Sequence, residues 1–100
     1  MNEFDIKAGG WDLNPMHIAR SEAIASQIIE RIPLRNSMTA LEYGAGTGIT
    51  SFLLKDHLAA ITMMDNSPEM VKIMNEKITG SGTTNLKAVF FDLEKTEWKQ

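Results

Sequence analysis

The sequence predicts an α/β fold: a partial parallel sheet of three strands in spatial order 3-2-1, the front of a three-layer α/β/α arrangement, preceded by one N-terminal helix. Three observations predict it. Apolar β-type runs at 39–43, 59–65 and 86–91 each carry an acid at or just past their carboxyl end, namely Glu42, Asp65 and Asp92. Helix-period segments separate the runs, and strands joined through helices pair in parallel by right-handed crossovers. Between the first run and the next helix, Gly44, Gly46 and Gly48 alternate with Ala45 and Thr47, a turn too rich in glycine to continue either neighbour.

Taken in order, Asn14-Pro15 opens a helix that runs to about Arg31. A short side-chain acceptor caps the first amides, and proline in the first turn gives up an N–H that would have no helical partner. Ile18, Ala25, Ile28 and Ile32 fall at helical spacing and form a stripe expected to pack on the sheet. Pro33 stops the helix, and the first strand follows a turn at 35–37. A second helix begins at Ile49 and runs to about His57, before the second strand. Ser67-Pro68 repeats the cap-and-proline start for a third helix, expected to reach about Thr79 and to end at Gly80 with Gly82. Met70, Val71, Met74 and Ile78 make its inner face. The last strand ends at Phe91. Residues 14–93 are thus the core of one domain portion, with 1–13 a leader arm and 94–100 a loop or frayed end.

The glycine turn is where a ligand can lie against bare backbone, because glycine accepts positive φ and carries no Cβ. Its spacing separates subclasses. A dinucleotide fingerprint, G-x-G-x-x-G, needs a third glycine where this chain has Ile49, and a phosphate-gripping loop needs a lysine that Gly48-Ile49-Thr50 lacks. What remains, an acid followed by G-x-G-x-G from Glu42 to Gly48, resembles the first motif of class I S-adenosylmethionine-dependent methyltransferases, whose fold is Rossmann-like. Physical chemistry agrees: this cofactor carries a sulfonium and an amino acid zwitterion rather than a pyrophosphate, so a carboxylate beside the turn suits it.

Asp65, roughly 20 residues past the first glycine, ends the second strand where an acid accepts hydrogen bonds from ribose hydroxyls. The resemblance implies that Asp92 contacts the adenine amine and the Leu93 main chain the ring, with Asn66 in the loop after Asp65 and Met70 one turn behind it. Cofactor-binding candidates are therefore Glu42, Gly44, Ala45, Gly46, Gly48, Asp65, Asn66, Met70, Asp92 and Leu93. The leader at 4–15 resembles that of a small-molecule subgroup, methyltransferase domain type 11, which makes Trp11 and Arg20 candidates for a lid; packing of Trp11 and solvation of Arg20 is the plainer alternative. The resemblance covers the front half of such a domain. It implies methyl transfer to a small-molecule acceptor with S-adenosylhomocysteine as product, by machinery incomplete in these 100 residues, and since acceptor contacts lie largely after a fourth strand, no catalytic residue is assigned. A noncatalytic binding or interaction module of the same fold is the alternative, and a nicotinamide-dependent dehydrogenase half, disfavoured by Ile49, a third.

Composition narrows the remaining classes. Hydrophobic residues make up 43% of the chain, the net charge is −3 and cysteine is absent, so disulfides and thiolate metal sites are excluded and a cytoplasmic setting is the default expectation. No apolar run approaches the ~18 residues of a membrane span, no secretory leader is expected from the acidic opening, and mild acidity offers no footprint for nucleic acid. His17 and His57 stand apart without ligand-spaced partners, so no metal site is expected. Ser51 lacks the context of a hydrolase nucleophile. The open side of the first strand is expected to be an apolar edge, and self-association through it follows as an expectation.

Overall fold

The computed structural model describes residues 14–92. Helix α1 (Pro15–Arg31) is capped by Asn14, whose Oδ1 accepts the Met16 N–H at 2.9 Å. It is followed by β1 (Thr39–Tyr43), α2 (Ile49–Leu54) continued by a 3₁₀ turn (Lys55–His57), β2 (Ala60–Asp65), α3 (Pro68–Ser81) and β3 (Leu86–Phe90). Ser67 caps α3 by accepting the Met70 N–H, with Pro68 in the first turn. The leader with Trp11, and Leu93 with the tail, lie outside the described residues.

The three strands are parallel with β2 in the centre, the expected order read from one edge. Because the chain steps across the sheet in one direction, both right-handed crossovers place their helices on the same face. The register sets Ala40, Ile61 and Leu86 level with one another, and likewise Glu42, Met63 and Ala88. Ile61, Met63 and Leu86 on this face form the core with Ala25, Leu54, Leu58 and Met74 from the helical layer and its connections. By alternation the other face carries Leu41, Tyr43, Thr62, Met64 and Val89, and Leu41 is 63% exposed.

Four expectations are adjusted. The stripe of α1 packs chiefly against α2 rather than on the sheet; Ala25 reaches the core, while Ile18 and Ile32 stay exposed. Helix α3 continues through Gly80, because the left-handed residue that terminates it is Gly82, with φ 66°. The Gly82 and Thr83 amides bond back to the Thr79 and Ile78 carbonyls, the paired closure of a Schellman motif. Strands β2 and β3 are each one residue shorter than expected, at Ala60 and at Phe90, although Phe91 still donates its amide to the Asp65 carbonyl.

Candidate functional site

The site forms at the carboxyl rim of the sheet, where β1 runs into the glycine turn. Gly44, Gly46 and Gly48 all adopt positive φ, at 72°, 63° and 85°. They serve different ends. A Cβ at Gly44 meets nothing within 4 Å, so bare backbone faces open space there. A Cβ at Gly48 would stand 2.7 Å from Met63 Sδ; Gly48 is buried and lets α2 seat against β2, so it contributes packing rather than a ligand surface.

Four amides of the turn are spent internally. Gly44 and Ala45 both donate to the Met64 carbonyl, at 2.8 and 3.0 Å, and Gly48 donates to the Ala45 carbonyl at 3.0 Å. Gly46 donates to Asp65 Oδ2 at 2.8 Å, and the other oxygen, Oδ1, accepts the Ser67 amide at 2.9 Å. Asp65, only 7% exposed, is therefore a clamp between the glycine turn and the start of α3, a role additional to the ribose contact expected of it. From behind, Lys77 Nζ donates to the Thr47 carbonyl at 2.9 Å and stands 4.8 Å from the centre of the Phe52 ring.

Glu42 lies on the same sheet face as Asp65, one pleat back from the rim. Its carboxylate accepts a 2.6 Å hydrogen bond from Ser51 Oγ on α2 and borders a cavity of about 270 Å³ lined otherwise mainly by apolar residues of α1, β1 and α2, among them Ile24, Ile28 and Leu54. Burial pushes the Glu42 carboxyl above its ordinary range; hydrogen bonds from Ser51 pull it partly back, and the Asp65 charge raises it further.

Asp92 follows β3 two residues past Phe90, the register partner of Asp65, and is half-buried. Asp65 and Asp92 thus stand at one rim, and Glu42 lies on the same side of the sheet, set back toward α2. Asn66 is exposed in the loop after β2, Ala45 is half-buried in the turn, and Arg20 is exposed on α1. Met70 is buried, so as placed it packs and shows no surface for a ring. Tyr43 and Phe91 meet edge to face at 6.2 Å between ring centres. Among the described residues, no cluster of three or more His, Asp or Glu is placed to hold a metal, and no helix is long and apolar enough to cross a membrane.

Ser51, Ser67 and Lys77 were not among the expected site residues. A serine at an inward position of the otherwise largely apolar α2 was the available signal for Ser51; nothing local marked Lys77, whose partner lies 30 residues away.

A family model described as methyltransferase domain matches residues 40–100. No curated protein matches the sequence. Among solved structures, a protein of Methanococcus maripaludis assigned as an S-adenosyl-L-methionine-dependent methyltransferase is similar at TM-score 0.78 and 22% identity, over 96% of this chain and 46% of that one. The DhpI complex with SAM and HEP is similar at 0.70 and 22%, over 96% and 42%. Coclaurine N-methyltransferase bound to N-methylheliamine and SAH is similar at 0.66 and 17%, over 78% and 24%. The chain spans less than half the length of each.

Proposed function

The chain belongs to the methyltransferase domain family, and from that premise we propose that it forms the S-adenosylmethionine-binding portion of an enzyme that methylates a small molecule. One observation carries the reading: the amides of Gly44, Ala45, Gly46 and Gly48 all donate to acceptors within the protein. A phosphate or pyrophosphate grip needs turn amides aimed at the ligand. A turn in which these four amides are occupied, flanked by Glu42 and Asp65, suits a ligand with cationic groups and hydroxyl donors.

The residues fit such a ligand. Open space over Gly44 leaves room against the backbone, Glu42 sets a negative charge near the turn for an ammonium, and each Asp65 oxygen keeps lone-pair capacity for a ribose hydroxyl beyond the amide it already accepts. Asn66 borders the ribose side and Asp92 the adenine side, where the Leu93 main chain is its proposed companion. The chemistry supplied by bound S-adenosylmethionine is an electrophilic sulfonium methyl group. The part of these residues in transfer is to hold the cofactor in one pose, and positioning of reactants contributes up to roughly 7–11 kcal/mol in favourable cases. None of them is a nucleophile in this scheme. The small-molecule acceptor rests on the subgroup resemblance and gains support from the coclaurine enzyme and its N-methylheliamine ligand.

Calorimetric titration with S-adenosylhomocysteine and with a nicotinamide dinucleotide tests the reading. Saturable binding of the first and weaker binding of the second support it; preference for the dinucleotide rejects it.

A further inference from the structure

Ser51 is 2% exposed on a six-residue helix that otherwise turns apolar side chains such as Leu54 inward. A buried hydroxyl is costly without a partner, and Ser51 Oγ has a close one in Glu42 Oε1 at 2.6 Å, the separation of an O–H donor on an ionised carboxylate. Glu42 is a flexible side chain beside a largely apolar cavity, where nothing on α1 would hold its carboxylate in one place.

We propose that Ser51 is a positioning residue for the cofactor's amino acid end: its hydroxyl fixes the Glu42 carboxylate in the orientation and charged form that an ammonium group requires. This rests on the cofactor reading above. The groups facing Glu42 make the hydroxyl the main support for its charge. Among the cavity-lining residues, α1 presents Ile24, Ile28 and Ile32, and α2 presents Thr50 and Leu54 beside Ser51. Asp65 on β2 is the charged neighbour, and its like charge opposes ionisation of Glu42 together with burial. Removing the Ser51 hydroxyl therefore leaves both opposing effects in place, with the Ser51 backbone amide as the remaining support, and moves Glu42 toward its neutral form as the pH falls.

The test measures affinity of the intact protein for S-adenosylhomocysteine across about pH 5 to 8, with 5′-methylthioadenosine, which keeps the nucleoside and thioether but lacks the amino acid, as comparison. Ser51→Ala is expected to weaken S-adenosylhomocysteine about tenfold at neutral pH, the scale of one hydrogen bond to a charged group. It should also move the acid limb of binding to higher pH, while methylthioadenosine affinity stays within about twofold. Ser51→Thr restores the original profile. Ser51→Cys fills the same space with a poor donor and behaves as the alanine variant does, which keeps the test available should that variant fail to fold. Equal weakening of both ligands with an unmoved pH profile overturns the proposal and leaves the cofactor reading standing. Absence of S-adenosylhomocysteine binding by the unsubstituted protein overturns both.

Discussion

Replacing Gly48 by alanine separates packing from ligand approach within one turn. At φ 85° the new side chain enters the left-handed region, which costs an L-residue about 1–2 kcal/mol. The Cβ also lands 2.7 Å from Met63 Sδ. Met63 is 0% exposed and its sulfur sits within the chain of the side chain rather than at its tip, so the clash costs a further ~1–3 kcal/mol, as overpacking does elsewhere. The sum is about 2–5 kcal/mol. Gly44→Ala suffers the strain alone, about 1–2 kcal/mol, because nothing lies within 4 Å of its Cβ. Urea denaturation of both variants, each combined with Met63→Val to remove the sulfur, gives a double-mutant cycle. Gly48→Ala should couple to Met63→Val by 1 kcal/mol or more on the scale of ~0.5–3 kcal/mol for contacting residues, and Gly44→Ala should be additive with it. Equal losses at the two glycines with no coupling at Gly48 would refute this division of roles.

At neutral pH Glu42→Gln should raise the denaturation midpoint, because burial disfavours the charged carboxylate in the folded state. A raised folded pKa means that stability is lost as pH rises through it, so the advantage of the variant should shrink on acidification toward the ordinary carboxylate range; an advantage that grows on acidification contradicts it. Ser67→Ala removes the cap on Met70 N–H and should cost about 1 kcal/mol in thermal melts; no loss on truncation would count against the cap. The proposed self-association through the exposed β1 edge strand predicts concentration-dependent sedimentation of the unsubstituted chain that Leu41→Lys suppresses, as charges on edge strands do; absence of association, or association that the substitution leaves unchanged, contradicts it.

Most of the fold was legible because its punctuation is local. Asn14-Pro15 and Ser67-Pro68 carry their capping chemistry in two adjacent residues, and both helices start where that chemistry says. The end of α3 was less legible, since Gly80 and Gly82 are equivalent in sequence and only the backbone shows which one takes the left-handed conformation. The packing of α1 was misplaced for a related reason: periodicity shows which face of a helix is apolar, not which neighbour covers it. Within the site, the acids and glycines announced themselves, but their partners did not. Asp65 reaches Gly46 across 19 residues and Glu42 reaches Ser51 across nine. Such pairs depend on strand register and crossover geometry, so the double engagement of the Asp65 carboxylate and the packing role of Gly48 emerged only in three dimensions.

The rim around Gly44, Gly46 and Asp65 is the proposed seat of S-adenosylmethionine. Amide resonances followed during titration with S-adenosylhomocysteine test it residue by residue. Saturable shifts should centre on Gly44, Ala45, Gly46 and Asn66, with the exposed amides of α1 near Arg31 unmoved. Saturable binding that shifts residues along the outer face of α3 and leaves the glycine turn untouched would contradict it.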